Sequence, residues 1–375
     1  MLQRGILIII CCFYLIGCSH RVPLENVSLM LLIALDRTDK GEMLVGTSIP
    51  LFHHETQKTT VEHFVKASSL YEGFSKISSK MTGFVTSSKA EIILVGKKFA
   101  EKENWMEHLD SFYRDPYNTI NAKVILVDGS TEDIFNVKSL DKPMLPSYID
   151  EVIESSIENN QAVSSTIQQL IRENNEEGMT QTVPIIIRKR NHIDTVGIGF
   201  LDHHGKYVAR LPKKDIVFFN LMNRSRKKGR MILHLDLKPF DKKNHPNASI
   251  LVQDAKRKVK INYHKGKFMF NIDVYMNVAI TERLNTKMIK NNENQKQEIR
   301  KMEQELQVQL DQKLNNIAKH MQKYKIDPMG LGLYAAAYEY KQWKKVRKDW
   351  GSILPKGQIH IKTHVKISNT GINRG

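Results

Sequence analysis

Residues 267–280 read KFMFNIDVYMNVAI. Apolar side chains stand at Phe268, Phe270, Ile272, Val274, Met276, Val278 and Ile280, with Asn271, Asp273 and Asn277 between them. Successive side chains of a strand point to opposite faces, so this alternation predicts a long strand with one buried and one wet face. Such a strand belongs in an antiparallel sheet, because strands buried inside a parallel sheet read as continuous apolar runs. Leu233, Leu235 and Leu237 show the same period upstream, and Ile359 to Ile367 shows it downstream.

Between those strands the period changes. Ile299, Met302, Leu306, Leu310, Leu314, Ile317 and Met321 step by three or four, which puts one apolar stripe on an amphipathic helix within Glu282 to Lys325. The stripe covers barely three heptads, so a helix laid across the sheet is favoured over a coiled coil. Pro328 and Gly330 end it. A final helical segment is expected over Leu331 to Trp350, its aromatics Tyr334, Tyr338, Tyr340, Trp343 and Trp350 read as core before ligand box. The closing strand must then return to the sheet.

Toward the N-terminus the pattern is mixed. Val27 to Leu35 and Met43 to Ile49 flank turn chemistry at Asp36 to Gly41 and predict a hairpin. Thr59 to Met81 is expected to be helical. Ala90 to Gly96 and Ala122 to Val127 are short apolar runs around a helix expected at Lys98 to Tyr113, the spacing of a crossover unit. Helices are expected on both sides of Asn159-Asn160. Thr182 to Ile187 is a strand that Pro184 assigns to a sheet edge. Val196 to Leu201 pairs with Lys206 to Arg210 across Asp202-His-His-Gly205. The expected fold class is α+β, multi-domain with mixed sheets, the C-terminal one antiparallel-rich and packed by a long amphipathic helix. The expected division is residues 1–17 as a signal peptide, 18–190 as an N-terminal α/β region of one or two subdomains, and 191–375 as a C-terminal α+β domain.

The three cysteines are Cys11, Cys12 and Cys18. Arg4 precedes an apolar run of 11 residues, Ile6 to Ile16, which is the length of a secretory h-region and too short for a membrane-spanning helix. Leu15-Ile16-Gly17-Cys18 resembles a bacterial lipobox. That resemblance implies cleavage before Cys18 and a thioether-linked diacylglycerol on its sulfur. Two acyl chains meet the requirement for stable anchoring. Loss of Cys11 and Cys12 would leave no internal disulfide. The competing reading is an uncleaved anchor helix with buried thiols. No second apolar stretch approaches membrane-spanning length.

The net charge of +17 is unevenly spread. Arg188 to Lys267 holds 21 Lys/Arg against 6 Asp/Glu, densest at Arg224-Ser-Arg226-Lys227-Lys228-Gly-Arg230. The export signal, and the lack of a basic helix with interleaved aromatics, argue against nucleic acid. Solvated lysines on loops and strand edges, or a patch facing a membrane or a partner, remain.

Catalytic signatures are missing. His53-His54 and His203-His204 are adjacent pairs with no third ligand at metal-binding spacing, and no HExxH, GxSxG or phosphate loop occurs. Gly197 and Gly199 sit within a hairpin pattern, not ahead of a helix. The expectation is no enzyme, no cofactor, no metal and no catalytic residue, with Cys18 as the one site residue, for lipid attachment.

Asp327-Pro-Met-Gly-Leu-Gly-Leu333 followed by Trp343 and Trp350 resembles the D-x-x-G-x-G…W…W signature of the Ger(x)C spore germination lipoproteins. The hairpin Val196 to Val208 and the lipobox resemble that family too. The resemblance implies three mixed α/β domains and a non-enzymatic C subunit of a nutrient germinant receptor. It implies two integral membrane partner subunits and a place on the outer surface of the inner spore membrane. Cys18 carries over as the lipid attachment site, whereas direct nutrient binding by this subunit is left open by the resemblance. The chain departs from the family at Ser19-His20, where Trp-Asp is common, and at Tyr340, where proline is common. The alternative from another class is a solute-binding lipoprotein of a transporter, which needs two doubly wound lobes; an exported hydrolase is a third.

Overall fold

The structure is a computed structural model that describes residues 27–51, 60–81, 83–102, 105–137, 144–223, 230–237, 248–283 and 292–369. Its largest sheet has eight strands in the order β10-β9-β8-β7-β6-β2-β3-β4. The strands are β2 (Leu32–Arg37), β3 (Met43–Pro50), β4 (Thr60–Lys66), β6 (Ile92–Gly96), β7 (Lys123–Val127), β8 (Thr182–Lys189), β9 (His192–Leu201) and β10 (Tyr207–Pro212). The centre, β2-β6-β7-β8, is parallel, and the flanks are antiparallel hairpins. Short β1 (Val27–Leu29) and β5 (Phe84–Thr86) form a separate parallel pair.

The central strands are buried on both faces. Leu32, Ala34, Ile92, Leu94, Ile125 and Val127 face the helix α2 (Leu145–Glu158), through its Ile149 and Ile153. Ile33, Leu35, Ile93, Val95, Val124 and Leu126 face α1 (Leu70–Ser78), α3 (Ile167–Asn174) and the turns around Trp105 and Phe112. This is why these strands read as unbroken apolar runs.

The second large sheet has four strands in the order β11-β12-β13-β14: β11 (Met231–Leu235), β12 (Ala248–His264), β13 (Lys267–Arg283) and β14 (Gln358–Asn369). β11-β12 and β12-β13 are antiparallel, whereas β13-β14 is parallel. The long helix α5 (Asn292–Lys323), which follows α4 (Lys213–Met222) in chain order, is the crossover between β13 and β14, as a parallel return requires. Its stripe Met302, Leu306, Leu310, Leu314 and Met321 is buried against the alternating face of β13. Polar groups fix the register. The Asp311 carboxylate accepts from Thr363 N (2.6 Å), and Asn315 both donates to Ile361 O (2.7 Å) and accepts from Ile361 N (3.0 Å).

Several sequence expectations change. Residues 59–81 are not one helix: β4 occupies Thr60–Lys66, and α1 starts only at Leu70, after Ser69 caps it by accepting from Glu72 N. Val61, Phe64 and Val65 mimic a helical spacing, but the β-branched residues there pair with β3. The helix expected over 98–113 is broken into a turn at Lys97–Ala100, a 3-10 turn at Trp105–Leu109 and a short helix at Asp110–Arg114. β8 is an interior strand, not an edge. Pairing with β7 begins at Ile185, so Pro184 sits just ahead of the ladder that would need its missing N–H. The segment 331–350 divides into α6 (Leu331–Tyr338), α7 (Tyr340–Val346) and short turns, broken at Glu339, whose carboxylate accepts from Tyr263 N of β12 at 3.2 Å.

Position 190 lies at the tip of the β8-β9 hairpin, where Arg190 takes a positive φ of 54°. The eight-stranded sheet therefore runs straight across it. One face of β9 and β10 (Ile198, Phe200, Ala209, Leu211) packs in the same core cluster as β13 and α5. The hairpin is bonded to one sheet and packed into the core of the other.

Candidate functional site

The D-x-x-G-x-G…W pattern closes into a buried joint. Asp327 follows the end of α5 and is 2% exposed. Its Oδ1 accepts from Leu331 N (2.9 Å), and its Oδ2 accepts from Gly332 N (2.7 Å) and from Trp350 Nε1 (2.9 Å). The carboxylate thus caps α6 and holds the indole. Burial pushes this carboxyl above its ordinary range, opposed by the Leu331 N–H, the Trp350 indole, the Gly332 N–H and the Arg257 charge. Trp350 in turn packs edge-on against Phe268 and Phe270 of β13.

The joint reaches across to the first half of the chain. Asp327 N donates to Thr180 Oγ1 (2.8 Å), and Thr180 N donates to Asp327 O (3.0 Å). The Gly332 and Gly178 backbones touch; a Cβ on Gly332 would stand 2.4 Å from Gly178 Cα. Gly330 has φ +67°, the left-handed conformation that glycine adopts without strain. The motif's residue types are thus each required by packing: a short acid to cap, glycines for approach, an indole N–H to donate. Both Asp327 oxygens are occupied by N–H donors of the chain itself, which makes it a staple, not a proton-transfer group.

Beside the joint is a cleft of about 310 Å³ that includes Glu177, His203, Lys325, Arg347 and Trp350. Arg347 pairs with Glu177 at 3.2 Å, another link between the halves. His203 and His204 sit side by side in the β9-β10 turn, with ring centroids 3.8 Å apart. Among the described residues no group of three His, Cys, Asp or Glu is arranged to hold a metal. Trp343 and Trp350 are buried core, while Tyr338 and Tyr340 are exposed. At the carboxyl ends of the central parallel strands, Asp128 is paired with Lys97 (3.0 Å) and Arg210 (3.2 Å). Cys18, His53-His54 and Arg224 to Lys228 lie outside the described residues.

Sequence reasoning missed the partners of the motif. Thr180 and Gly178 carry no periodic signal, and their role emerges only from contact. Arg257 was counted as part of the basic surface. It instead turns inward, where it donates to Met222 O and to Tyr334 Oη.

A family profile described as the spore germination protein N-terminal domain matches residues 20–188, and one described as spore germination B3/GerAC-like, C-terminal, matches 196–371. The chain belongs to the Ger(x)C family of spore germination proteins. Among its relatives, spore germination protein GerQC of Bacillus cereus is 21% identical over 99% of each chain. Spore germination protein B3 of Bacillus subtilis (strain 168) is 22% identical over 95% of each. The crystal structure of the GerBC protein superposes with a TM-score of 0.59 at 18% identity, covering 90% of this chain and 97% of that one. The mixed α+β architecture is thus that of the Ger(x)C fold. The two family domains meet at the β8-β9 hairpin, the same place where one sheet runs across both.

Proposed function

We propose that the chain is the lipid-anchored, non-catalytic subunit of a spore nutrient germinant receptor. Diacylglycerol on Cys18 holds it to the outer surface of the inner spore membrane, where it works by contact with two integral membrane subunits. The observation that carries this is continuity: the family matches begin at residue 20, two positions after the lipobox cysteine, and cover 20–188 and 196–371. Among the described residues no helix is long and apolar enough to cross a membrane. The parts 18–190 and 191–375 are read as two domains that share a sheet and a staple, and therefore move as one body.

The transporter reading needs two doubly wound lobes. The four-stranded sheet has two antiparallel pairs and one parallel pair, which does not favour it. The test is Cys18→Ala in a sporulating host. Wild-type protein takes up labelled palmitate, stays with the spore membrane fraction and supports nutrient germination; the variant should lose all three. Full germination by a variant that remains in the membrane would overturn the anchoring. A pull-down on the wild-type chain from spore membranes that recovers no integral membrane subunit would overturn the partnership.

A further inference from the structure

The outward face of the four-stranded sheet is a cationic strip. The register places Lys256, Lys258 and Lys260 of β12 on the face opposite the core, with Lys267 at the hairpin. The parallel pairing of β14 adds Lys362, opposite Asp273, and Lys366, opposite Asn277. All six lysines are exposed. The acids of this stretch, Asp254 and Asp273, are each engaged already: Asp254 by Lys256 at 3.9 Å, and Asp273 by His364 Nε2 at 2.8 Å. At ordinary strand dimensions the strip is about 33 Å long and about 10 Å wide. No other element covers it among the described residues, because α5 and α6 pack on the opposite face.

We infer that this strip docks on the anionic headgroups of a lipid bilayer. Three features select that occupant. Six lysines against two acids leave the strip with net positive charge spread along an extended sheet face, which suits an extended negative surface. Its basic residues are all lysine, whereas protein interfaces are depleted in lysine and enriched in arginine, and nucleic-acid recognition likewise favours the arginine fork. The large aromatic on it, Tyr275, stays partly exposed and lies against its strand neighbours: His364 stacks on the ring at 4.4 Å, and Lys258 Nζ lies 5.3 Å from its centroid. One ring already stacked along its own sheet is not the aromatic cluster on which protein-binding hot spots are built. The inference rests on the anchoring reading in one respect, that a membrane lies within reach.

The test separates the two. The mature chain, made without its first 17 residues and carrying Cys18→Ser, has no lipid, so binding reports the strip alone. It is floated with vesicles of phosphatidylcholine, or of phosphatidylcholine and phosphatidylglycerol in equal parts. Binding is expected only to the second, weakening as salt is raised. Lys256→Glu/Lys258→Glu/Lys260→Glu should weaken it by roughly a hundredfold or more, on about fivefold per lysine near the surface. The control Lys80→Glu/Lys89→Glu/Lys102→Glu changes the net charge equally on exposed sites of the other region and should change binding less than about threefold. Circular dichroism and melting confirm that both variants fold. Equal loss in the two variants, or no binding to the anionic vesicles by the wild type, would overturn the inference. So would capture of heparin or a glutamate-rich peptide without capture of vesicles. None of these outcomes bears on lipidation of Cys18, which the palmitate label reads by itself.

Discussion

The eight-stranded and four-stranded sheets solve burial in opposite ways. In the first, neighbours such as Ile92 and Ile93 are both fully buried, because helices cover both faces. In the second, Val274 is fully buried while its neighbour Tyr275 is 39% exposed, because a helix covers one face only. The first sheet has spent both faces on stability. The second has one face left for something else, and that face carries the lysines. A parallel core walled by helices offers only its strand ends and loops for contact, whereas a half-covered sheet offers a broad plane.

The largest expected effect falls on the joint between the two. Asp327→Ala orphans the buried donors Leu331 N, Gly332 N and Trp350 Nε1 and should cost about 4 kcal/mol or more, on about 1–3 kcal/mol for each unsatisfied group. Because Thr180 shares the joint, denaturant unfolding should remain a single transition shifted to lower midpoint. A variant in which only the four-stranded region melts early would mean that the two sheets are separate bodies.

A pairwise scan tests the burial contrast itself. Ile92→Ala and Ile93→Ala should each cost about 2–5 kcal/mol. Val274→Ala should cost somewhat less for its smaller side chain, and Asn271→Ala on the open face should stay within about 0.5 kcal/mol. A large loss at Asn271 would show that the outer face is covered after all.

The smallest effect is a pH dependence at the seam. His320 of α5 lies against Phe200 of β9, with ring centroids 6.4 Å apart, and its Nε2 is buried without a partner. Burial holds its pKa below the ordinary value, helped by the Lys323 charge and opposed by the Arg210 backbone and Asp215. Above the unfolded value of about 6.5 both states are neutral and stability is full. As pH falls below that, the unfolded chain takes the proton first, and stability declines until the folded pKa is passed. Melting temperature should therefore fall on acidification through this window. His320→Phe should flatten part of that slope, with His108, also lowered by burial, supplying the remainder.

Legibility in the sequence followed the same divide. The alternation at 268–280 and the stripe at 299–321 named their own faces, and both stand as read. The runs at 92–96 and 123–127 were visible as buried strands because two-sided burial removes polar residues. What stayed hidden was pairing at a distance. Nothing at Pro184 says that pairing of β8 with β7 begins one residue later, and nothing at Ile359 says that β14 lies parallel to β13. The edge strand at 60–66 was lost because a half-covered strand flanked by serines imitates a capped helix. At the joint, Asp327, Gly330, Gly332 and Trp350 stood out as a pattern, but their purpose depends on Thr180 and Gly178, whose part only the contact reveals.

The parallel return of β14 also has a consequence in time. β13 is bonded from Met269 to Ala279 to a strand that arrives only after the long helix has been made. Until then an unusually long ladder edge is open, with the apolar row beneath it uncovered. Such an edge is a template for pairing with other chains. Non-local pairing of this kind is slow to form, and incompletely folded chains aggregate through it. For this fold the hazardous interval is therefore biosynthesis: assembly of the second sheet has to wait for its last strand, and any delay in synthesis beyond α5 prolongs the wait.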